Sequence, residues 1–574
     1  MRLFRVLLWS FLALTAAFYG IITAGQVLGL LKIYHIGLAV AASLLCAGAM
    51  FALLASGSHW FGFLQSPEGQ SHPQAVLEQA LAWIGLFLFA LLALYPLVRW
   101  PFSPISKELN WDAGLYHFPK AVEMLVTGSA WDMTIDYGEY PFGYESLLAL
   151  AFGLNPHGYL IGLTHALIAL YFVLAWWLGM VRFSPLPPGL ALFVVVLLIL
   201  SRLYLPGNEN NLWWPVWPQV ILIGKNDLFL GALLLAVALF TPGKDEDPRA
   251  ALPGLAAVSM MALSVKPNAV LLVGFAWGMA WWVQRRAEGW KAALGTQLRC
   301  ALLVLPGVLW VVRNLAAMGS LFKPSAARLS AWSIAANLNN PYFYEHIPAQ
   351  FFLVLGIVLL SGLIALFWRS IRLPVGVGLI LLLSFVLTPA SAFLGSNQQP
   401  AQIAWRFAIP LLAWQAVLLF LLLGTFVRAV YAWLASRWMF AALMFVLAAG
   451  VSAYGVWKNQ RLMAFRPGGE AVLRDPFEQA VGVNGYFSAY DYVQKNVHHA
   501  VVIVENGLPF YLYDRPFTNS VTRARDADYF VAFRTAWRNG QAEGYPEMLS
   551  HPEFARHWEL VYEDAEGRVY QRKP

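Results

Sequence analysis

The chain has 574 residues, 59% hydrophobic and only 12% charged; soluble domains carry about 25% charged residues, so one water-facing core is excluded and lipid is the implied solvent for most of the surface. The net charge of +7 comes with no basic cluster interleaved with aromatics, which argues against nucleic acid as a partner; Lys and Arg of a membrane protein gather in cytoplasmic loops instead. The two cysteines, Cys46 and Cys300, each lie in an apolar stretch, giving no disulfide framework and no Cys/His metal cluster.

Runs long enough to span a bilayer, about 20 apolar residues, lie near 8–30, 34–56, 80–99, 158–182, 187–205, 219–241, 299–316, 351–368, 374–394, 404–427 and 433–456. The N-terminal run is longer than a signal peptide and ends in no clean cleavage site, so it reads as a retained helix. Residues 251–284 are apolar but punctuated by Lys266-Pro267-Asn268, which predicts two short helices and a tight turn. The sum is a mainly α polytopic bundle of about 13 spans, with 144–154 as a re-entrant or short spanning helix. With Arg2 and Arg5 inside, the inner loops hold Arg182, Lys244, Arg249, Arg285, Arg286, Lys291, Arg299, Arg369, Arg372, Arg428 and Arg437. That bias predicts a plasma (inner) membrane protein with a cytoplasmic N-terminus and an extracytoplasmic C-terminal region.

After Trp457 the composition turns polar. Strand-like runs occur at 499–504, 510–513, 529–532 and 560–562, and 487–496 is helix-like. Glu563 to Gly567 resembles a hairpin loop, with Gly567 available for a positive φ. The predicted division is a transmembrane domain over 1–457 and a small extracytoplasmic α/β domain over 458–574.

The first long outside loop, about 100–143, contains Asn110-Trp111-Asp112-Ala113-Gly114-Leu115-Tyr116-His117-Phe118-Pro119-Lys120-Ala121. On a helix Asp112 and Tyr116 share a face, and Pro119 is expected to break or kink that helix because it lacks an N–H and clashes one turn back. Asp112 is thus placed on a short interfacial helix at the membrane surface. The pattern Asp-x-x-x-Tyr-His-x-Pro-x-Ala, then Gly128 and Tyr140-Pro141-x-Gly143-Tyr144-Glu145, resembles the C-type superfamily of membrane glycosyltransferases, which includes protein O-mannosyltransferases and the lipid A aminoarabinose transferases. Gly224-Lys225-Asn226-Asp227 resembles the family's Lys-x-Asp, Val265-Lys266-Pro267 its Thr-Lys-Pro turn, Arg313-Asn314 with Gly319 a span end leading to an outside loop, and Arg406-Phe407 with Pro410 its Arg-Tyr-x-x-Pro. The likeness covers most of 80–457 in order and spacing. Two spans precede the usual first helix, and Ala113 stands where many members have a second acid.

The resemblance implies transfer of a sugar from a polyprenyl-phosphate donor to an extracytoplasmic acceptor (glycan, lipid or protein), with Asp112 as general base on the acceptor. A base must reach its proton within about 3 Å, and the leaving phosphate needs cationic partners. Lys225, Lys266, Arg313, Lys323 and Arg406 are the candidates for the phosphate, and Tyr116, His117, Lys120, Tyr140, Glu145 and Asp227 complete the expected substrate-binding set. No cofactor is indicated, although some relatives use a divalent cation.

Each residue also has a plainer reading. Asp112 suits an N-cap, His117 a structural hydrogen bond, and Lys225 with Asp227 an interfacial pair. Lys266 and Arg406 suit snorkelling side chains, and Arg313 and Lys323 topology anchors. Asp132, Asp136 and Glu139 read as solvated loop charges, and Trp213 to Pro218 as an interfacial belt. A transporter or flippase of lipid-linked sugars, a surface-polysaccharide polymerase or ligase using loop 317–350 with Lys323, Arg328 and His346, and a non-catalytic scaffold are the competing functions. The first predicts repeat symmetry between halves, which the sequence lacks.

Overall fold

The computed structural model describes residues 2–64, 72–94, 112–135, 137–156, 158–204, 224–322, 349–387, 408–435, 446, 450, 487–505, 507–514, 517–521, 527–533, 547–564 and 567–574. Lys323, Arg406, Arg328, His346, Asp136, the Trp213–Pro218 run, most of the expected span 433–456 and the predicted domain boundary at 457/458 lie outside them.

The chain folds as a helical bundle with a small sheet near its C-terminus. The helices are α1 (Arg2–Leu30), α2 (Ile36–Ser56), α3 (His72–Phe89), α4 (Phe118–Thr127), α5 (Gly143–Leu154), α6 (Tyr159–Phe183), α7 (Pro188–Tyr204), α8 (Asp227–Phe240), α9 (Pro248–Val265), α10 (Val270–Glu288), α11 (Trp290–Val304), α12 (Leu309–Met318), α13 (Ala349–Phe367), α14 (Arg372–Leu387), α15 (Ile409–Ala435), α16 (Phe487–Asn496) and α17 (Pro552–His557). Among the described residues 7 helices are long and apolar enough to cross a membrane, and shorter apolar helices run at Ala75–Phe89, Gly143–Leu154, Pro188–Ile199, Asp227–Phe240 and Phe352–Phe367. The protein is a multi-pass membrane protein. Against the expectation of about 13 spans, the described residues thus hold 7 long and 5 shorter apolar helices. The stretch around Lys266 folds as expected: α9 ends at Val265, Pro267–Ala269 form one 3-10 turn, and α10 follows.

The N-terminal helix α1 is central to the bundle. It packs along α2 and against α5, α6 and α9, with Phe11 stacked on Tyr171 at 5.1 Å between ring centroids. Its glycines permit this: a Cβ at Gly20 would collide with α2 at Ser43 and Ala47, and one at Gly25 with Ser146 of α5. By contrast α2 turns Leu44 and Leu45 outward, and α13 does the same with Leu363, Leu366 and Phe367. Water would penalise so large an exposed apolar area, whereas lipid accommodates it.

The C-terminal sheet has five strands in the order β2-β1-β3-β5-β4, with β1 (Val501–Glu505), β2 (Ser520–Val521), β3 (Tyr529–Phe533), β4 (Trp558–Glu563) and β5 (Gly567–Arg572). The first strand is parallel to both β2 and β3; β3–β5 and β5–β4 are antiparallel. The expected hairpin at 563–567 is present, but Gly567 is not among the glycines with positive φ. Its requirement is space: an added Cβ would sit 2.8 Å from Ala489 Cβ of α16. Residues 510–513, expected as a strand, instead follow Pro509 into a 3-10 turn over Pro509–Leu512; proline presets that turn and removes a ladder donor.

Candidate active site

Residues 112–127 are continuously helical. Ala113–His117 form a π-turn, closed by the Phe118 N–H donating to the Ala113 carbonyl, and α4 continues from it. Pro119 therefore does not break the helix. An α-helical turn would need its missing N–H and would clash with its ring; the wider π-turn before it removes both demands. Such turns recur at functional sites. Asp112 precedes this turn, half-buried, and its side chain makes no capping hydrogen bond, so the N-cap reading does not describe it.

Two glycines bring the separated motifs together. Gly224 (φ +87°) lies so close to Ala113 that an added Cβ would overlap the alanine side chain, and it also abuts Phe118. The Gly224–Asp227 turn is thereby held beside Asp112. Gly143, opening α5, abuts Ser264 in the same way, which sets Tyr140–Glu145 against the end of α9 and the Lys266 turn. Lys266 then pairs with Asp227. That pair joins two motifs 39 residues apart. Lys225 is buried beside it.

Behind this lies a sealed charged cluster. His117 Nδ1 is 2.9 Å from Glu145 Oε1, a spacing at which the imidazole N–H donates to the carboxylate. Lys120 Nζ donates to the carbonyls of Tyr140 (3.3 Å) and Pro141 (3.2 Å) and lies 3.3 Å from the same carboxylate. Burial pushes the pKa of both His117 and Lys120 down, with Glu145 opposing the shift in each. The Tyr116 ring packs at a tilt between His117 (4.1 Å) and Tyr137 (4.8 Å), and Tyr137 in turn stacks on Tyr140 (5.2 Å).

Arg313, 1% exposed, holds the loop that follows α4. It donates to the carbonyls of Ala130 (2.8 Å), Gly138 (2.9 Å) and Tyr140 (3.1 Å) and, from Nε, to Asn314 Oδ1 (3.0 Å). Asn314 donates to the carbonyls of Glu139 (2.6 Å) and Leu321 (2.7 Å). The Arg-Asn pair thus splints 130–140 rather than anchoring a headgroup. Arg313 and Lys120, expected as substrate ligands, spend these donors on the protein. Glu139 is fully buried and not a solvated loop charge, while Asp132 accepts from the N–H and hydroxyl of Thr134, each at 2.7 Å, in an exposed turn.

Sequence reasoning missed Glu123. It is 1% exposed and bonds to residues about 390 positions further on; the one local signal is an acid in the middle of an amphipathic helix. Among the described residues no group of three or more His, Cys, Asp or Glu stands ready to hold a metal ion.

No protein-family model matches the sequence, and no curated protein matches it. Among solved structures the chain is similar to the crystal structure of ArnT from Cupriavidus metallidurans bound to undecaprenyl phosphate, at 13% identity, over 86% of this chain and 97% of that one, with a TM-score of 0.48.

Proposed function

We propose that the protein is a membrane glycosyltransferase that moves a sugar from a polyprenyl-phosphate carrier to an extracytoplasmic acceptor, with Asp112 as general base. One observation carries the reading. Four segments far apart in sequence, around residues 112, 143, 225 and 266, meet through glycine contacts and the Lys266–Asp227 pair. They gather one half-buried carboxylate and two lysines at one place. A carboxylate that takes a proton from an acceptor hydroxyl or amine needs neighbours that take the negative charge of the departing phosphate. Lys225 and Lys266 supply that charge beside Asp112. Arg406 and Lys323 join them as phosphate ligands in this reading. Arg313, Lys120, His117 and Glu145 hold the frame. The lipid chain of such a donor lies in the bilayer while its phosphate reaches the surface, which suits a site built from turns between helices.

The test uses wild type and Asp112→Asn in lipid nanodiscs, each given a mixed pool of polyprenyl-phosphate sugars and candidate acceptors. Free polyprenyl phosphate is read by mass spectrometry. Release by wild type and its loss in an equally stable Asp112→Asn is the expected result. Equal release by both overturns the assignment of the base, and flux of intact lipid-linked sugar without release replaces the transferase with a transporter.

A further inference from the structure

The C-terminal unit touches the Asp112-bearing helix at three places. Leu508, just past β1, lies over Gly114 of the π-turn: an added Cβ there would be 3.0 Å from Leu508 Cδ1 and 3.4 Å from its Cβ. Phe510 meets Phe118 edge-on at 4.8 Å. One turn further along α4, the Glu123 carboxyl is held wholly by the C-terminal unit. The Tyr513 hydroxyl (2.8 Å) and the Val521 N–H (2.6 Å) both donate to Oε1, and the Ser520 hydroxyl shares a 2.9 Å bond with Oε2.

We propose that Glu123 is a positioning residue: it clamps the C-terminal unit onto α4, so that Leu508 bears on the π-turn and fixes where Asp112 points. The consequence for transfer rests on the function proposed above; the clamp itself stands on the contacts. In the neutral acid every bond is kept, since Oε1 accepts twice and a proton on Oε2 goes to the Ser520 oxygen. Burial pushes the Glu123 pKa up to about 7, against the three hydrogen bonds that pull it down and with Asp132 adding to the rise. Facing it are Tyr513 from the C-terminal unit, itself shifted well up by burial and by Glu123, and Asp132 from the loop after α4. A carboxyl that titrates near 7 when docked and at its ordinary 4.5 when released favours docking while it is protonated. Docking is therefore tightest below pH 4.5, weakens as pH rises toward 7 and then levels off, by up to about tenfold per pH unit within that window.

The full chain in nanodiscs, with Cys46→Ser and Cys300→Ser, receives Gly114→Cys and Leu508→Cys. Their Cβ atoms lie 3.4 Å apart, next to the short end of the disulfide range of about 3.5–4.5 Å, and catalysed oxidation then reads docking. Glu123→Gln keeps both acceptor bonds and donates to Ser520 without titrating, so it also controls for thiol chemistry. Relative to that variant, the parent should cross-link about fivefold or more slowly at pH 8 than at pH 5.5. Glu123→Ala should lose cross-linking about tenfold at every pH. Equal cross-linking by Glu123→Ala overturns the clamp, and a flat ratio of parent to Glu123→Gln overturns its pH dependence; should Glu123→Ala fail to fold, Tyr513→Phe combined with Ser520→Ala, which removes two of the three donors, is read in its place with the same expected direction. In the transfer assay Glu123→Ala should lower kcat about tenfold with donor KM unchanged, and Glu123→Gln should restore it. Normal cross-linking behaviour with no transfer by any variant overturns the glycosyltransferase reading and leaves the clamp standing.

Discussion

Two charged clusters lie side by side at one end of the bundle, and they differ in what their charges face. In the first, Lys120, Glu145 and Arg313 have side chains at most 6% exposed, and their bonds go to carbonyls and to one another. In the second, Asp112 is half-buried and the Lys266 side chain is 20% exposed. In sequence both look alike, as cations and acids near span ends. Exposure sets Asp112 and Lys266 apart, although Lys225 and Asp227 beside them are as buried as the first cluster: a charge whose bonds are spent inside the protein belongs to the frame, and one at a partly open surface can meet a substrate. A buried pair is costly to break because the partner left behind is an uncompensated charge, whereas a surface pair contributes little.

The sharpest test of this contrast is Asp112→Asn, which should cut transfer by about 10²–10⁴-fold while leaving the melting temperature in detergent unchanged. Loss of both would place Asp112 in the frame. Next in size, Arg313→Ala should lower stability by about 3–5 kcal/mol, because three loop carbonyls and Asn314 lose their donor at once; chemical unfolding in mixed micelles reads this. Near-normal stability of that variant would mean that Arg313 is not the splint. Lys266→Gln should weaken binding of polyprenyl phosphate about tenfold and also cost some stability, since it leaves the buried Asp227 carboxylate without its cation; unchanged affinity by isothermal titration would move Lys266 to the frame. The smallest effect is on pH dependence. Burial lowers the His117 pKa, so the unfolded chain binds a proton that the folded chain refuses. His117 therefore favours folding above its ordinary value of 6.5, and this contribution is lost on acidification at up to about 1.4 kcal/mol per pH unit. His117→Gln should flatten that acid limb relative to wild type.

The helices were legible because hydropathy and proline speak locally: the break at Lys266-Pro267 and the hairpin at 563–567 needed no partner to be read. The strand expected at 510–513 failed for a local reason as well, since Pro509 outweighed its aromatic neighbours. The site was legible only as a roll of residues. That Asp227 takes Lys266, that Glu139 is buried, and that Arg313 faces inward all follow from packing across distant segments, which a single sequence does not carry. Glu123 is the extreme case, because the partners that explain it lie about 390 residues away. Gly143 and Gly224 were visible as motif letters; their reason, close approach of two backbones, emerged only once Ser264 and Ala113 stood against them.

The π-turn at Ala113–His117 amounts to one residue more than an α-helical path would use. Counted that way, it is an insertion, and one widened turn absorbs it. The five residues close one turn where an α-helix would use about four, so Asp112 keeps its relation to Glu123 while Pro119 stays in the helix; deleting Leu115 would narrow that turn and set the Pro119 ring against the carbonyl one turn back. A single codon thus separates a helix that admits this proline from one that would have to kink beneath the carboxylate.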